Sequence, residues 1–284
     1  MNAKFGSSGN PDDFYAQGYK HSAQMPVYLR SLGLDAYEYQ CGRGVRLGEE
    51  TALALRAAAE ENGISLSLHS PYFISLSTTE ESKIEGNLRY IIESAEAVTA
   101  LGGCRVVVHS GSCGKGTREA ALEASKANLL RAQRELDERG LSHIRLCPET
   151  MGKINQLGTL SEVLELCKLD ERFLPCIDFG HLNARTRGGC STAEQFAAVL
   201  DETENALGRE RASQFHAHFS KIEYSEGGEV RHLTFADTVF GPSFEPLAEL
   251  IARRDLSPVI LCESAGTQGL DAAEMKRLTE EASR

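Results

Sequence analysis

The sequence predicts a single α/β domain folded as a closed (β/α)8 TIM barrel. Short apolar runs alternate with longer amphipathic segments along all 284 residues, and eight such runs can be distinguished. Strict alternation of strands and helices indicates a parallel sheet, and eight is the strand number at which such a sheet closes. No low-complexity stretch or linker interrupts the alternation, so we expect residues 1–284 to form one domain.

The predicted strands are short and rich in apolar or β-branched residues. In order they are Ala3–Gly6, Asp35–Gln40, Ser65–Ser70, Cys104–Ser110, His143–Glu149, Leu174–Phe179, Ser213–Ser220 and Pro258–Ser264. The predicted helices between them repeat apolar residues at helical spacing. They are Glu50–Asn62, Ser82–Leu101, Glu119–Arg139, Thr159–Cys167, Thr192–Leu207, Ser243–Arg254 and Leu270–Ala282. The third helix illustrates the reasoning, because Thr117 is placed to cap its start and Gly140 to end it.

The composition restricts the class of function. Thirty Lys and Arg residues against 41 Asp and Glu residues give a net charge of −11. A protein that binds nucleic acid through charge alone is usually basic, so the acidity argues against a simple nucleic-acid-binding module. No apolar run approaches the ~18 residues of a membrane span, and the first residues lack the apolar region of a signal peptide. We therefore expect no membrane association and a cytoplasmic protein, whose eight cysteines are reduced thiols.

Most of the predicted strands end in a residue that can bind a metal ion, and the long segment after the seventh strand adds two more. These residues are His69, His109, Glu149, Asp178, His181, His218, Glu229, His232 and Glu263. Active sites of such barrels lie where the carboxyl ends of the strands meet. The sequence therefore predicts that these side chains converge on one site.

Each of these residues alone has a structural explanation. A single strand-end histidine is usually a hydrogen-bonded structural residue, and a strand-end glutamate can cap the next helix. Together, however, the carboxylates would repel one another, and a divalent cation removes that conflict. Imidazole and carboxylate ligands suit zinc, manganese or iron(II). The donors are too many for one ion that takes about four ligands, so we expect two or three ions, a cluster typical of phosphate-ester hydrolysis.

Six short motifs, in order along the chain, resemble the endonuclease IV family of metal-dependent apurinic/apyrimidinic endonucleases. They are His69-Ser-Pro-Tyr-Phe, His109-Ser-Gly-Ser, Pro148-Glu149-Thr-Met-Gly-Lys153, Cys176-Ile-Asp178-Phe-Gly-His181, Phe215-His216-Ala-His218 and Cys262-Glu263. The resemblance implies a xylose-isomerase-like barrel with Zn2+, or alternatively Mn2+. It also implies an enzyme that hydrolyses the phosphodiester 5′ to abasic sites in DNA with water activated by the metal.

The resemblance also implies a role for each matching residue. The first ion would bind His69, His109 and Glu149; the second Glu149, Asp178, His218 and Glu263; the third His181 and His232. Glu149 and Glu263 would be catalytic. Tyr72 and Phe73 would insert into the abasic DNA. Apart from the resemblance, Arg43 and Lys153 lie just past strand ends and could contact phosphate.

One position departs from the family. The family's third-ion motif is Asp-x-His, but the residue two before His232 is Val230. Glu229 could replace the missing aspartate only if the segment shifts by one residue. The departure indicates an outlying branch of the family.

Two other functions remain open at this stage. A sugar isomerase or epimerase would use the same barrel with one or two ions and a proton-transferring base. A metal-stabilised binding barrel would lack activity. Metal stoichiometry would separate the nuclease from the isomerase. About three ions per chain favour the nuclease, and about one favours the isomerase. We expect a monomer.

Overall fold

The computed structural model describes residues 2–284. Its strands are β1 (Lys4–Ser8), β2 (Ala36–Gln40), β3 (Ser65–His69), β4 (Arg105–His109), β5 (Arg145–Glu149), β6 (Cys176–Asp178), β7 (His216–Phe219), β8 (Ile222–Ser225), β9 (Gly228–His232) and β10 (Val259–Cys262). Eight of them pair in parallel as a closed barrel in the order β1-β10-β7-β6-β5-β4-β3-β2. Strands β8 and β9 form a separate antiparallel hairpin. The predicted (β/α)8 barrel is confirmed.

The helices surround the barrel. They are α1 (Asp12–Ala16), α2 (Met25–Ser31), α3 (Glu49–Asn62), α4 (Glu81–Ala100), α5 (Arg118–Glu138), α6 (Leu160–Cys167), α7 (Phe179–Arg185), α8 (Ala193–Leu207), α9 (Arg209–Ser213), α10 (Glu245–Arg254) and α11 (Gln268–Ala282). The seven predicted helices are all present, with ends displaced by two residues at most. Thr117 caps α5 as expected, because its hydroxyl accepts a hydrogen bond from the Ala120 amide at 3.2 Å.

Two predicted strands extend too far into neighbouring helices. Phe179 begins α7 because the Asp178 side chain accepts a hydrogen bond from the His181 amide and caps the helix. Ser213 ends α9 rather than beginning β7. The prediction also missed α2, which provides the helix between β1 and β2.

The barrel contains two buried regions that differ in polarity. Between strands and helices lies the main apolar core, which includes Phe5, Leu68 and Ile177. The lumen is instead largely polar: Glu38 on β2 reaches across it to His216 on β7, although β2 and β7 are not neighbours. Along each strand, successive residues therefore face the core and the lumen in turn, and the polar residues face the lumen.

Two further observations bear on the sequence predictions. All eight cysteines are free thiols. Within residues 2–284, no helix combines the length and the apolar character that a membrane crossing requires.

Candidate metal centre

The nine residues predicted to bind metal converge at the carboxyl end of the barrel. His69, His109 and Glu149 end β3, β4 and β5, and Asp178 ends β6. His181 lies in the first turn of α7, His218 lies in β7 and Glu263 directly follows β10, while Glu229 and His232 belong to β9. Barrel closure thus brings together side chains that are up to 194 positions apart, from His69 to Glu263.

Glu149 stands at the centre of the group and is buried. Its Oε2 atom lies 3.3 Å from His69 Nε2 and 3.2 Å from His109 Nε2. Its Oε1 atom lies 3.0 Å from His218 Nδ1. The two oxygens therefore face different histidines, the arrangement expected of a carboxylate that bridges two cations.

Asp178, His218 and Glu263 complete a second group with Glu149, and one potential ligand atom from each lies within 4.8 Å of all the others. The Oδ2 atom of Asp178 is buried and has no hydrogen-bond partner, since the His181 Nδ1 atom 3.2 Å away is bonded to the Thr150 carbonyl. A buried carboxylate oxygen without a donor is energetically costly unless a cation satisfies it. This orphaned oxygen therefore fits a metal ligand.

The third group consists of His181, Glu229 and His232. His181 Nε2 lies 3.4 Å from Glu229 Oε2, and His232 Nε2 lies 4.0 Å from Glu229 Oε1. Val230, which occupies the aspartate position of the family motif, is half exposed. The structure thus brings the neighbouring Glu229, rather than residue 230, to the two histidines.

A β-bulge explains this placement. The register of the β8–β9 hairpin shifts between Glu223, which pairs with Arg231, and Tyr224, which pairs with Glu229, so Val230 has no partner strand residue. An extra residue of this kind re-aims the side chains on either side of it. The extra residue lets Glu229, rather than Val230, face His181 and His232.

Gly152 also fixes Glu229. The Glu229 amide donates to the Gly152 carbonyl at 3.1 Å. A Cβ atom on residue 152 would lie 2.6 Å from the Glu229 Cβ atom. Only glycine therefore permits this approach of the hairpin to the turn after β5.

In four of the site histidines, one ring nitrogen makes a hydrogen bond and the other is free to bind a metal ion. The Nδ1 atoms of His69, His109 and His181 lie 2.7, 2.9 and 2.9 Å from the carbonyl oxygens of Ser70, Tyr72 and Thr150. The Nδ1 atom of His232 lies 2.8 Å from the Ser220 hydroxyl. The carbonyl bonds fix the tautomer of His69, His109 and His181, and the Ser220 bond fixes the ring direction of His232. In these four residues the Nε2 atom faces the carboxylates.

The electrostatics of the centre also fit a cation. Burial raises the pKa of Glu149, but His218, His109 and His181 outweigh burial and hold the pKa well below its ordinary value. Burial raises the pKa of Asp178 despite the opposing effect of His181. Burial lowers the pKa of His69, yet Glu149 raises it to about 9. Against the same effect of burial, Asp178 and Glu149 raise the pKa of His181 to about 10.

These shifts show what balances the carboxylates in the metal-free chain. Protons on the histidines neutralise them, and a divalent cation can take the place of those protons. Cys176 lies close by, with its Sγ atom 3.7 Å from His218 Nδ1. Burial raises the pKa of the Cys176 thiol, so it remains protonated as a small core residue. The donor set facing the site is therefore imidazole and carboxylate.

The residues predicted to contact DNA lie on the rim of the barrel. Tyr72 and Phe73 are 54% and 42% exposed, and Phe73 packs its edge against Tyr90. Arg43 is exposed on the loop after β2. The Tyr72 amide donates to the Gly42 carbonyl, which holds this loop beside the aromatic pair.

Lys153 lies in the segment after β5, whereas Tyr72 and Phe73 lie in the segment after β3. It is exposed, and its backbone pairs with Gly228 at the start of β9. The structure therefore places Lys153 next to the hairpin that carries Glu229.

Glu38 is a residue of the centre that the sequence patterns do not predict. This residue is completely buried in the lumen, and its Oε1 atom lies 2.8 Å from His218 Nε2. Its Oε2 atom lies 2.9 Å from Nε2 of His216, a residue whose pKa burial lowers to about 4. The signal was available, because a charged residue inside an otherwise apolar strand must find buried partners.

Comparison with known proteins identifies the family of this chain. The sequence model of the xylose isomerase-like TIM barrel family matches residues 27–282. The chain belongs to this family. As a member of the xylose isomerase-like TIM barrel family, it is 36% identical over 236 residues to the uncharacterized protein MJ0133 of Methanocaldococcus jannaschii, a match covering 83% of this chain and 84% of that protein.

Named relatives point to endonuclease IV within the xylose isomerase-like family. A probable endonuclease 4 of Staphylococcus carnosus is 28% identical over 174 residues, which cover 58% of this chain and 56% of that protein. The crystal structure of endonuclease IV from Thermus thermophilus superposes with a TM-score of 0.68 at 23% identity, over 98% of each chain. A D-tagatose 3-epimerase-like protein superposes with a TM-score of 0.72 at 18% identity, over 98% of this chain and 96% of that one. Both superpositions concern the fold, and the family match together with the sequence relatives places the chain as an outlying, endonuclease IV-like member.

Proposed function

We propose that this chain is a metal-dependent phosphodiesterase that hydrolyses the phosphodiester 5′ to abasic sites in DNA. The observation that carries the proposal is the third group, in which Glu229 faces both His181 and His232. One cation suffices to polarise a sugar carbonyl, whereas a phosphodiester needs its attacking, leaving and non-bridging oxygens stabilised together. A third ligand group beside the other two fits the phosphodiester.

We propose that the three groups hold two or three zinc ions, with manganese as the alternative metal. The first ion would bind His69, His109 and Glu149; the second Glu149, Asp178, His218 and Glu263; the third His181, Glu229 and His232. When bound, such ions lower the pKa of water toward neutrality and neutralise developing charge on phosphate oxygens.

The chain's own residues orient this chemistry. Glu149 holds two groups at a fixed separation because its two oxygens face different histidines. Glu263 approaches both His218 and His232, at 3.7 and 4.0 Å, and so lies between the second and third groups. Both carboxylates are positioned to support the attacking water and the departing oxygen, which is the catalytic role we propose for them.

The rim supports DNA as the substrate. Tyr72 and Phe73 are exposed beside the centre, and apolar wedges of this kind enter the space left by a missing base. We propose that Arg43 and Lys153 contact phosphates next to the lesion. With a net charge of −11, binding depends on these local contacts and on the metal centre rather than on long-range attraction. We propose that the protein acts as a cytoplasmic monomer.

An epimerase is the second candidate, favoured by the second group. Glu149, Asp178, His218 and Glu263 could hold one cation for a sugar substrate, with a carboxylate moving the proton. In that case the third group would have no role. The superposition with an epimerase-like protein concerns the fold and is compatible with either reaction.

A nicking assay distinguishes the two. A duplex with one abasic site and a duplex of the same sequence without it are incubated with zinc-loaded protein. We expect cleavage only of the abasic duplex, on the 5′ side of the lesion, abolished by chelator and restored by zinc. Zinc-loaded protein that leaves the abasic duplex intact but epimerises a ketose would contradict the nuclease.

A further inference from the structure

Glu38 has a saturated set of contacts although it lies outside the three groups. Its Oε1 atom lies 2.8 Å from His218 Nε2 and 3.1 Å from the Ser8 hydroxyl. Its Oε2 atom lies 2.9 Å from His216 Nε2 and 3.1 Å from the Ser67 hydroxyl. The carboxylate can be buried because three donors surround its charge, together with the Ser8 hydroxyl that it shares with Glu263.

His218 is held differently from the other site histidines. Those four have the Nδ1 atom tied to a carbonyl or hydroxyl oxygen and present the Nε2 atom. His218 has Nε2 tied to the Glu38 carboxylate and presents Nδ1, which lies 3.0 Å from Glu149 and 3.7 Å from Glu263. It is also the histidine common to the two clusters of potential ligand atoms that contain Glu149.

We propose that Glu38, braced by His216, is a positioning residue that fixes His218 as the Nε2–H tautomer so that Nδ1 binds the metal. The proposal rests on the proposed metal centre, although its first measurement needs no DNA. An acidic partner also makes the imidazole a stronger ligand than a carbonyl partner does.

His216 fits the role of a brace rather than of a ligand. Its Nε2 atom is tied to Glu38, and its Nδ1 atom is buried without a hydrogen-bond partner. It contributes no atom to the groups that contain Glu149, and the cluster that does include it requires His218 and the buried Cys176 thiol, which stays protonated. Ser8 connects the same carboxylate to Glu263, since its hydroxyl lies 3.1 Å from both. Glu38 therefore reaches two proposed ligands of the second ion.

The first test is nitrogen NMR of the zinc-loaded parent, because the histidines of the metal-free chain carry additional protons. The 15N shifts and long-range couplings of His218 should report a protonated Nε2 and a zinc-bound Nδ1, whereas the other four site histidines should report a protonated Nδ1 and a zinc-bound Nε2. A protonated Nδ1 on His218 would overturn the proposal directly.

The second test uses Glu38→Gln, with Ser67→Ala as the matched control. The introduced amide keeps the shape of the side chain but offers one acceptor oxygen, so it cannot accept from both imidazoles. We expect zinc bound by His218 to weaken by about 10–100-fold in chelator competition, while a zinc ion at His181 and His232 is retained. Ser67→Ala removes a donor to Glu38 but leaves both imidazole contacts, so its zinc affinity should match the parent.

The outcomes separate this proposal from the proposed function. Unchanged zinc affinity and an unchanged His218 tautomer in Glu38→Gln would show that Glu38 is only structural. If Glu38→Gln does not fold, the parent's tautomer decides the question alone. Failure of the parent to nick abasic DNA, with zinc binding and tautomer as expected, would contradict the nuclease and leave the role of Glu38 supported.

Discussion

Replacement of Glu229 by alanine should empty one metal site and leave the others filled. The third group supplies three side chains, and the substitution leaves only His181 and His232. A catalytic zinc keeps about three protein ligands, so two do not suffice for tight binding. We expect zinc content to fall from about three to about two ions per chain. Turnover on abasic DNA should fall by ~10²–10³-fold, the loss typical of removing one stabilising contact to a developing charge.

Zinc is measured by elemental analysis of purified protein after dialysis. The matched control is Glu223→Ala, which removes the same charge from the same hairpin, because Glu223 pairs with Arg231 at 2.7 Å outside the third group. A second arm is Gly152→Ala, which removes no ligand but places a methyl group 2.6 Å from the Glu229 Cβ atom. It should also release the third ion. If Glu229→Ala retains as much zinc as the parent and Glu223→Ala, the bulge does not deliver a ligand and the reasoning fails.

Other predictions address the remaining groups. Glu149→Gln and Glu263→Gln should each lower turnover by orders of magnitude while circular dichroism shows an intact fold; near-parental turnover in either would exclude its catalytic role. The pKa values of His69 and His181 are about 9 and about 10, above the value of about 6.5 in the unfolded chain. Protonation of these two residues therefore stabilises the metal-free fold fully below pH 6.5, and this contribution decreases as pH rises. Zinc displaces these protons, so the zinc-induced rise in Tm should grow between pH 6.5 and about 8; a rise that shrinks would contradict proton competition. Arg43→Ala should make the salt dependence of abasic-DNA binding shallower by about one unit, and an unchanged slope would show that Arg43 does not contact phosphate.

The ligands at the strand ends could be predicted because barrel topology decides their position. Once eight strands are recognised, His69, His109 and Glu149 must share one end of the barrel, whatever their separation in sequence. Their positions depend on local pattern and closure, both of which a single sequence carries. The same reasoning located Asp178 and Glu263.

Features that depend on backbone register or lumen contacts could not be predicted in the same way. The bulge at Val230 arises from how β8 and β9 pair, and the residue types alone do not specify a slip of one residue. Glu38 faces His216 across the lumen, a contact set by strand tilt and barrel diameter rather than by any spacing. The sequence therefore indicated the residues of the candidate centre, but not the bulge and the lumen contacts that position them.

The contact between Ser8 and Glu263 joins the first and the last strand regions of the barrel. A ribosome delivers Ser8 before Glu263, so the two meet only after all the strands between them have been made. The residues of the third group, His181 to His232, emerge before Glu263 does. Under the proposed function, the ligands of the second ion are consequently complete only after β10 has been made, later than those of the third ion.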